Sequence, residues 1–185
     1  MIKKSILVLL AAMLVLPLGG GELKGVKMED SITIDGKTLL LNGMALRKKM
    51  IFKVYVAGFY LPKKEKSSEK ILSADTCRVT IMHFLRSVGA GKINGAWYDG
   101  LEDNTPGHSK ELKAKFDVLA KYMEKMKDGG RIIFSYLPGK GTEVKVNGNV
   151  KGTIEGKDFA DALFSCWIGK KPGPGEGFKE DLLGL

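Results

Sequence analysis

Arg47 stands just ahead of the strongest strand signal of this 185-residue chain, where Leu41-Asn42-Gly43-Met44-Ala45-Leu46-Arg47-Lys48-Lys49 leads into residues 51–61. An arginine at the edge of such a strand presents a fixed, permanently charged fork to a carboxylate or an enolate lying over apolar side chains. The plainer alternatives are a guanidinium paired with a structural carboxylate, or one that lies in solvent. Spacing alone leaves these open.

Other chemistry finds less support. Cys77 and Cys166 match no metal pattern, because the chain has neither a Cys-x-x-Cys nor a histidine pair at helical spacing, so no metal or cofactor is expected. Both thiols are read as unpaired, since each falls in an apolar run where a buried free cysteine is common, and one disulfide between them is the alternative that export would permit. His83 and His108 are isolated in the sequence, which gives a Ser-His-Asp arrangement little to draw on, and no nucleophile elbow is present. Pro138-Gly139-Lys140-Gly141-Thr142 has a superficial look of a phosphate loop, but the spacing is wrong and strands flank it, so it is a hairpin turn. Nucleic-acid binding is not expected, because Phe52, Tyr55, Phe59 and Tyr60 belong to a strand apolar on both faces.

The elements that must position Arg47 follow from periodicity. Ile32 and Ile34, an Asp35-Gly36 turn and residues 38–41 predict a hairpin. Residues 51–61 predict a strand covered on both sides, 68–72 a short helix, and 76–84 another strand. Ile93, Trp97 and Leu101 at spacing four predict a helix over 90–104. Leu112, Phe116, Leu119, Met123 and Met126 form one apolar stripe, which predicts a second helix starting near Ser109 and stopping at Gly129-Gly130. Strands are expected at 131–137, 142–146 and 149–155, the last two joined by Asn147-Gly148. A helix over 157–168 carries Phe159, Leu163, Cys166 and Trp167 on one side, and a short tail helix ends at Leu182-Leu183. Strands, helices, strands and helix in that order predict an α+β domain, an antiparallel meander covered by helices on one side.

The chain carries 30 Lys and Arg against 21 Asp and Glu, a formal charge of +9, which favours anionic partners. Lys3 and Lys4 precede an apolar stretch from Ser5 to Leu18, then Gly19-Gly20-Gly21. That layout reads as a secretory signal, too short for a stable membrane span, with cleavage expected before Glu22. Losing those two lysines lowers the charge to +7. The mature part, 22–185, is expected to be one domain located in a bacterial periplasm.

The sequence also resembles a known family. Leu41 to Arg47, then Phe52-Lys53-Val54-Tyr55-Val56-Ala57-Gly58-Phe59-Tyr60-Leu61, looks like the signature of chalcone isomerase-like proteins, especially an exported bacterial branch. Further matches follow in order: Met82 to Arg86, Gly100 to Asn104, Tyr136 to Gly141, Val146-Asn147-Gly148, and Phe164 to Gly169. The resemblance implies an open-faced β-sandwich, a large antiparallel sheet with helices packed on one face and a ligand cleft between. It implies further that Arg47 contacts ligand, as the matching arginine does in the isomerases and in their fatty-acid-binding relatives.

The other positions depart from the isomerase pattern. Tyr55 stands where the plant enzymes use a threonine, Trp97 and Tyr98 where they use a tyrosine seven residues before Asn104, and Cys166 and Trp167 where they carry a small hydroxyl. Bulky side chains shrink a cleft and remove donors that ring closure needs. The expectation is therefore a non-enzymatic binder of a small amphiphilic acid, anchored by Arg47 and lined by Tyr55, Trp97, Tyr98, Asn104, Cys166 and Trp167. Each aromatic taken alone reads as core filling. The alternative is an isomerase or lyase acting on an unsaturated carbonyl compound, with Arg47 as electrophile and Tyr55 or Tyr98 as donor.

Overall fold

The computed structural model describes residues 20–185, so the expected signal segment, apart from Gly20 and Gly21, lies outside the described residues. Nine strands and five helices follow: β1 (Gly21–Leu23), β2 (Val26–Met28), β3 (Ser31–Ile34), β4 (Lys37–Lys49), β5 (Phe52–Leu61), α1 (Ser68–Ser73), β6 (Arg78–Phe84), α2 (Ala90–Asn104), α3 (Lys110–Tyr122), β7 (Arg131–Leu137), β8 (Gly141–Val146), β9 (Asn149–Ile154), α4 (Lys157–Ile168) and α5 (Glu176–Leu183). β3 to β9 form one antiparallel sheet in sequence order, and the expected meander with helices on one face is what the chain builds. None of the described helices is long and apolar enough to cross a membrane.

Turn chemistry sets the register. Lys24-Gly25, Asp35-Gly36 and Asn147-Gly148 each put two consecutive residues at positive φ, the geometry that matches the twist of a two-residue hairpin. The sheet then curls, so that Asp35 at its first turn accepts an ion pair from Lys140 at the β7–β8 turn, 2.8 Å away. Its concave face gathers Leu39, Val56, Tyr60 and Val79 beneath the β1–β2 hairpin, a small hairpin that periodicity did not predict.

The main core lies on the other face. Alternation along β5 sends Tyr55, Ala57, Phe59 and Leu61 toward the helices, where they meet Trp97, Leu101, Phe159, Phe164 and Trp167. α4 is buried almost all round, and each large side chain removed from water there contributes roughly 1.5–3 kcal/mol. α2 approaches α4 closely at Gly100, where any Cβ would run into the Cys166 sulfur.

Two expectations are corrected. β4 is one 13-residue strand with a bulge after Leu41, where the sequence suggested a short strand and a separate connecting cluster. The bulge absorbs Asn42 and so keeps the apolar residues on both sides in phase. α3 stops at Tyr122, short of Gly129-Gly130. Met126 instead pairs with Val88 through two backbone hydrogen bonds of 2.9 and 3.1 Å. Both Met123 and Met126 still reach the core, from extended backbone, because a stripe at helical spacing constrains burial more than conformation. The two cysteines are free and lie on opposite faces of the sheet, Cys77 on the concave side and Cys166 on the helical side.

Candidate functional site

The antiparallel register sets Arg47 directly opposite Tyr55, so the two side chains share the helix-facing side of the β4–β5 ribbon. The Tyr55 hydroxyl accepts a hydrogen bond of 3.2 Å from Trp167 Nε1, which ties β5 to α4 at the same corner. Cys166 and Trp97 complete the cluster: Trp97 meets Trp167 edge-on with ring centroids 5.3 Å apart, and its own Nε1 is buried without a partner among the described residues. Five of the expected residues, Arg47, Tyr55, Trp97, Cys166 and Trp167, therefore converge.

Two do not. Tyr98, one position round α2 from Trp97, turns toward α3 and donates to Asp117 Oδ1 at 2.8 Å. Asn104 donates to the carbonyls of Gly100 and Lys171 and accepts from the Lys171 amide, so it fastens the segment after α4 to the end of α2. Its role here is to hold backbone.

Burial governs the electrostatics. Burial pushes the Tyr55 hydroxyl up to about 12, against the opposing pull of the Trp167 bond and the Arg47 charge. Burial likewise pushes the Cys166 thiol up to about 12. Both groups are neutral at physiological pH, and Arg47 supplies the corner's charge. Its Nη1 donates to the carbonyl oxygen of Pro174 at 2.9 Å, and among the described residues no carboxylate pairs with it.

Sequence reasoning missed what closes the corner. Phe178 of α5 stands edge-on to Tyr55 at 5.8 Å, and Phe84 of β6 packs at 5.7 Å on the same ring. α5 is held in turn by Asn42, whose amide donates to the carbonyls of Leu182 and Glu65 at 2.9 and 3.0 Å and accepts from the Glu65 amide at 2.8 Å. The only sequence signal for Asn42 was a polar residue inside an apolar run. With these groups in place, the corner is filled by side chains. Two cavities stand away from it: one of about 470 Å³ on the concave face, bordered by Ile34, Ser135, Leu137 and Glu143, and one of about 260 Å³ near Leu61 and Ile71 at the far end of β5.

The arrangement can do one thing well. A carboxylate entering from the α5 side would meet a guanidinium and a phenol able to donate, with aromatic walls for an apolar tail.

Comparison with known proteins places this geometry. No curated protein matches the sequence. Among solved structures, a fatty-acid binding protein from Arabidopsis thaliana shares the fold with a TM-score of 0.66 at 19% identity, over 86% of this chain and 92% of that one. The family described as chalcone isomerase-like matches residues 20–184, the whole curled sheet with its helices, and the chain belongs to that family.

Proposed function

We propose that this protein binds a small amphiphilic acid of the fatty-acid type between its sheet and its helices, with Arg47 holding the carboxylate. The observation that carries this reading is an unpaired guanidinium facing an aromatic interlayer, opposite a neutral buried phenol. A carboxylate would add its own negative charge to the charge-assisted bond that Arg47 now makes to the Pro174 carbonyl, and could accept two parallel N–H bonds from the guanidinium fork. Tyr55 already accepts from Trp167 and keeps its own proton for the ligand.

Uptake requires movement of the segment around Pro174 and of Phe178, which fill the corner. That segment, Gly169-Lys170-Lys171-Pro172-Gly173-Pro174-Gly175, has the composition of a hinge. The fatty-acid-binding protein of the same fold supports the ligand class, and the Lys-led apolar N-terminus supports export to a bacterial periplasm. Of the two donors that the isomerase alternative names, Tyr98 is spent on Asp117 and Tyr55 stays opposite Arg47.

The test is calorimetric titration of laurate and of dodecanol into the full chain and its Arg47→Gln variant. The acid is expected to bind, the alcohol weakly, and the variant to lose about tenfold or more toward the acid alone, as one charge-assisted pair implies. Equal affinity for acid and alcohol would overturn the carboxylate anchor.

A further inference from the structure

The β4–β5 hairpin turns on two residues, Met50 and Ile51, between the paired Lys49 and Phe52. Three other two-residue hairpin turns of the chain have glycine second and are led by Lys, Asp or Asn. Here Met50 is held at φ 55°, a conformation suited to glycine or asparagine, and Met50 and Ile51 are 88% and 87% exposed. Phe52 follows at 49% exposed. Neither turn geometry nor core packing asks for Met-Ile-Phe at this place. Of the few large apolar side chains that the described surface exposes, these three are consecutive and share one tip, which makes a patch and not a scatter.

The surroundings are cationic. Lys48, Lys49 and Lys53 flank the tip and are exposed, and the Arg86 guanidinium lies 4.3 Å from the Phe52 ring centroid. No acidic residue occurs between Asp35 and Glu65 in the sequence. Among the described residues, none of these four cations forms an ion pair, whereas Lys113, Lys115, Lys140 and Lys151 elsewhere all do.

We propose that this tip docks the protein on a bilayer containing anionic lipids, with Met50, Ile51 and Phe52 entering the boundary between headgroups and acyl chains and Lys48, Lys49, Lys53 and Arg86 resting on the headgroups. An apolar point ringed by unpaired cations complements such a surface, since both attractions act together. A two-residue turn offers too little area for a stable protein interface, which needs about 1,200 Å² or more. Docking by this tip also sets the Arg47–Tyr55 pair, three residues in from Phe52 along β5, about 10 Å from the headgroups. This inference stands on the tip alone and does not depend on what binds at Arg47.

The experiment uses the full chain with Met50→Trp, whose introduced indole is exposed while Trp97 and Trp167 are buried. Phosphatidylcholine–phosphatidylglycerol vesicles should shift its emission to the blue, and lipids brominated in the upper acyl chain should quench it. Added salt, or vesicles of phosphatidylcholine alone, should weaken the effect. A Met50→Asn/Ile51→Gly variant, which installs the turn used at Asn147-Gly148, should bind the anionic vesicles about tenfold or more weakly while keeping its circular dichroism, as expected for loss of two inserted apolar side chains. Vesicle binding with no change in the indole's emission would overturn the proposal and move the contact to another segment. Undiminished binding by the double variant, or a tip that crosslinks to protein and not to lipid, would overturn it too.

Discussion

The guanidinium of Arg47 donates to the carbonyl oxygen of Pro174, 127 residues later in the chain, at 2.9 Å. The cation is therefore held by the segment that joins α4 to α5. On the proposed function, a ligand that took Arg47 would release one tie of this segment, and Phe178 against Tyr55 supplies another. Phe178→Ala should loosen this segment at a cost of about 3–5 kcal/mol in stability. Limited proteolysis should then cut within residues 169–175 faster than in the parent, and unchanged cleavage would mean that α5 is fixed by its other contacts.

Asn42 makes one of those other contacts. Its side chain makes three hydrogen bonds from a buried position, joining the β4 bulge to Glu65 and to the end of α5. Asn42→Ala leaves buried backbone groups unpaired and should destabilise the protein by about 2–4 kcal/mol, read as a lower urea midpoint at constant slope.

Arg78 is wholly buried between sheet and helices, where it pairs with Asp161 at 2.7 Å and lies over the rings of Tyr136 and Phe164. Removing one partner strands a charge, so Asp161→Ala should cost about 3–5 kcal/mol. An Arg78→Met/Asp161→Leu replacement should recover a large part of that loss. Thermal unfolding of the two variants side by side decides it.

Alkaline pH should weaken the fold through the same corner that forms the site. Tyr55 and Cys166 ordinarily lose their protons near 10 and 9, and burial raises both to about 12. The unfolded chain therefore releases protons first as pH rises, so this contribution is complete below about pH 9 and is lost progressively toward about pH 12. A Tyr55→Phe/Cys166→Ala variant should show a shallower fall in stability above pH ~9 than the parent. Cys166 should also resist iodoacetamide at neutral pH until the protein unfolds.

The parts of this account legible in the sequence are those set by local pattern. β5 announced itself by apolar residues on both faces, although Ile51 and Phe52 at the start of the expected strand lie exposed at the hairpin tip; α2 was marked by Ile93, Trp97 and Leu101, and the β3–β4 and β8–β9 turns by Asp-Gly and Asn-Gly. The spacing of four that buries Trp97 also carries Tyr98 about 100° round the helix, so the pattern already held the reason for Tyr98 facing α3. What pattern does not carry is contact between distant segments. Nothing near Asn42 signals Leu182, and nothing near Arg47 signals Pro174. α3 ended early because the Val88–Met126 bridge competes for the backbone that a longer helix would use, a partner 38 residues away.

The central claim is that Arg47 anchors an acid. Native mass spectrometry of the full chain mixed with laurate tests it most directly, beside Arg47→Ala and Arg47→Lys. The account predicts a one-to-one adduct on the parent, a weakened one on the lysine variant and none on the alanine variant. An adduct of equal strength on all three, or none on the parent at saturating laurate, would contradict it.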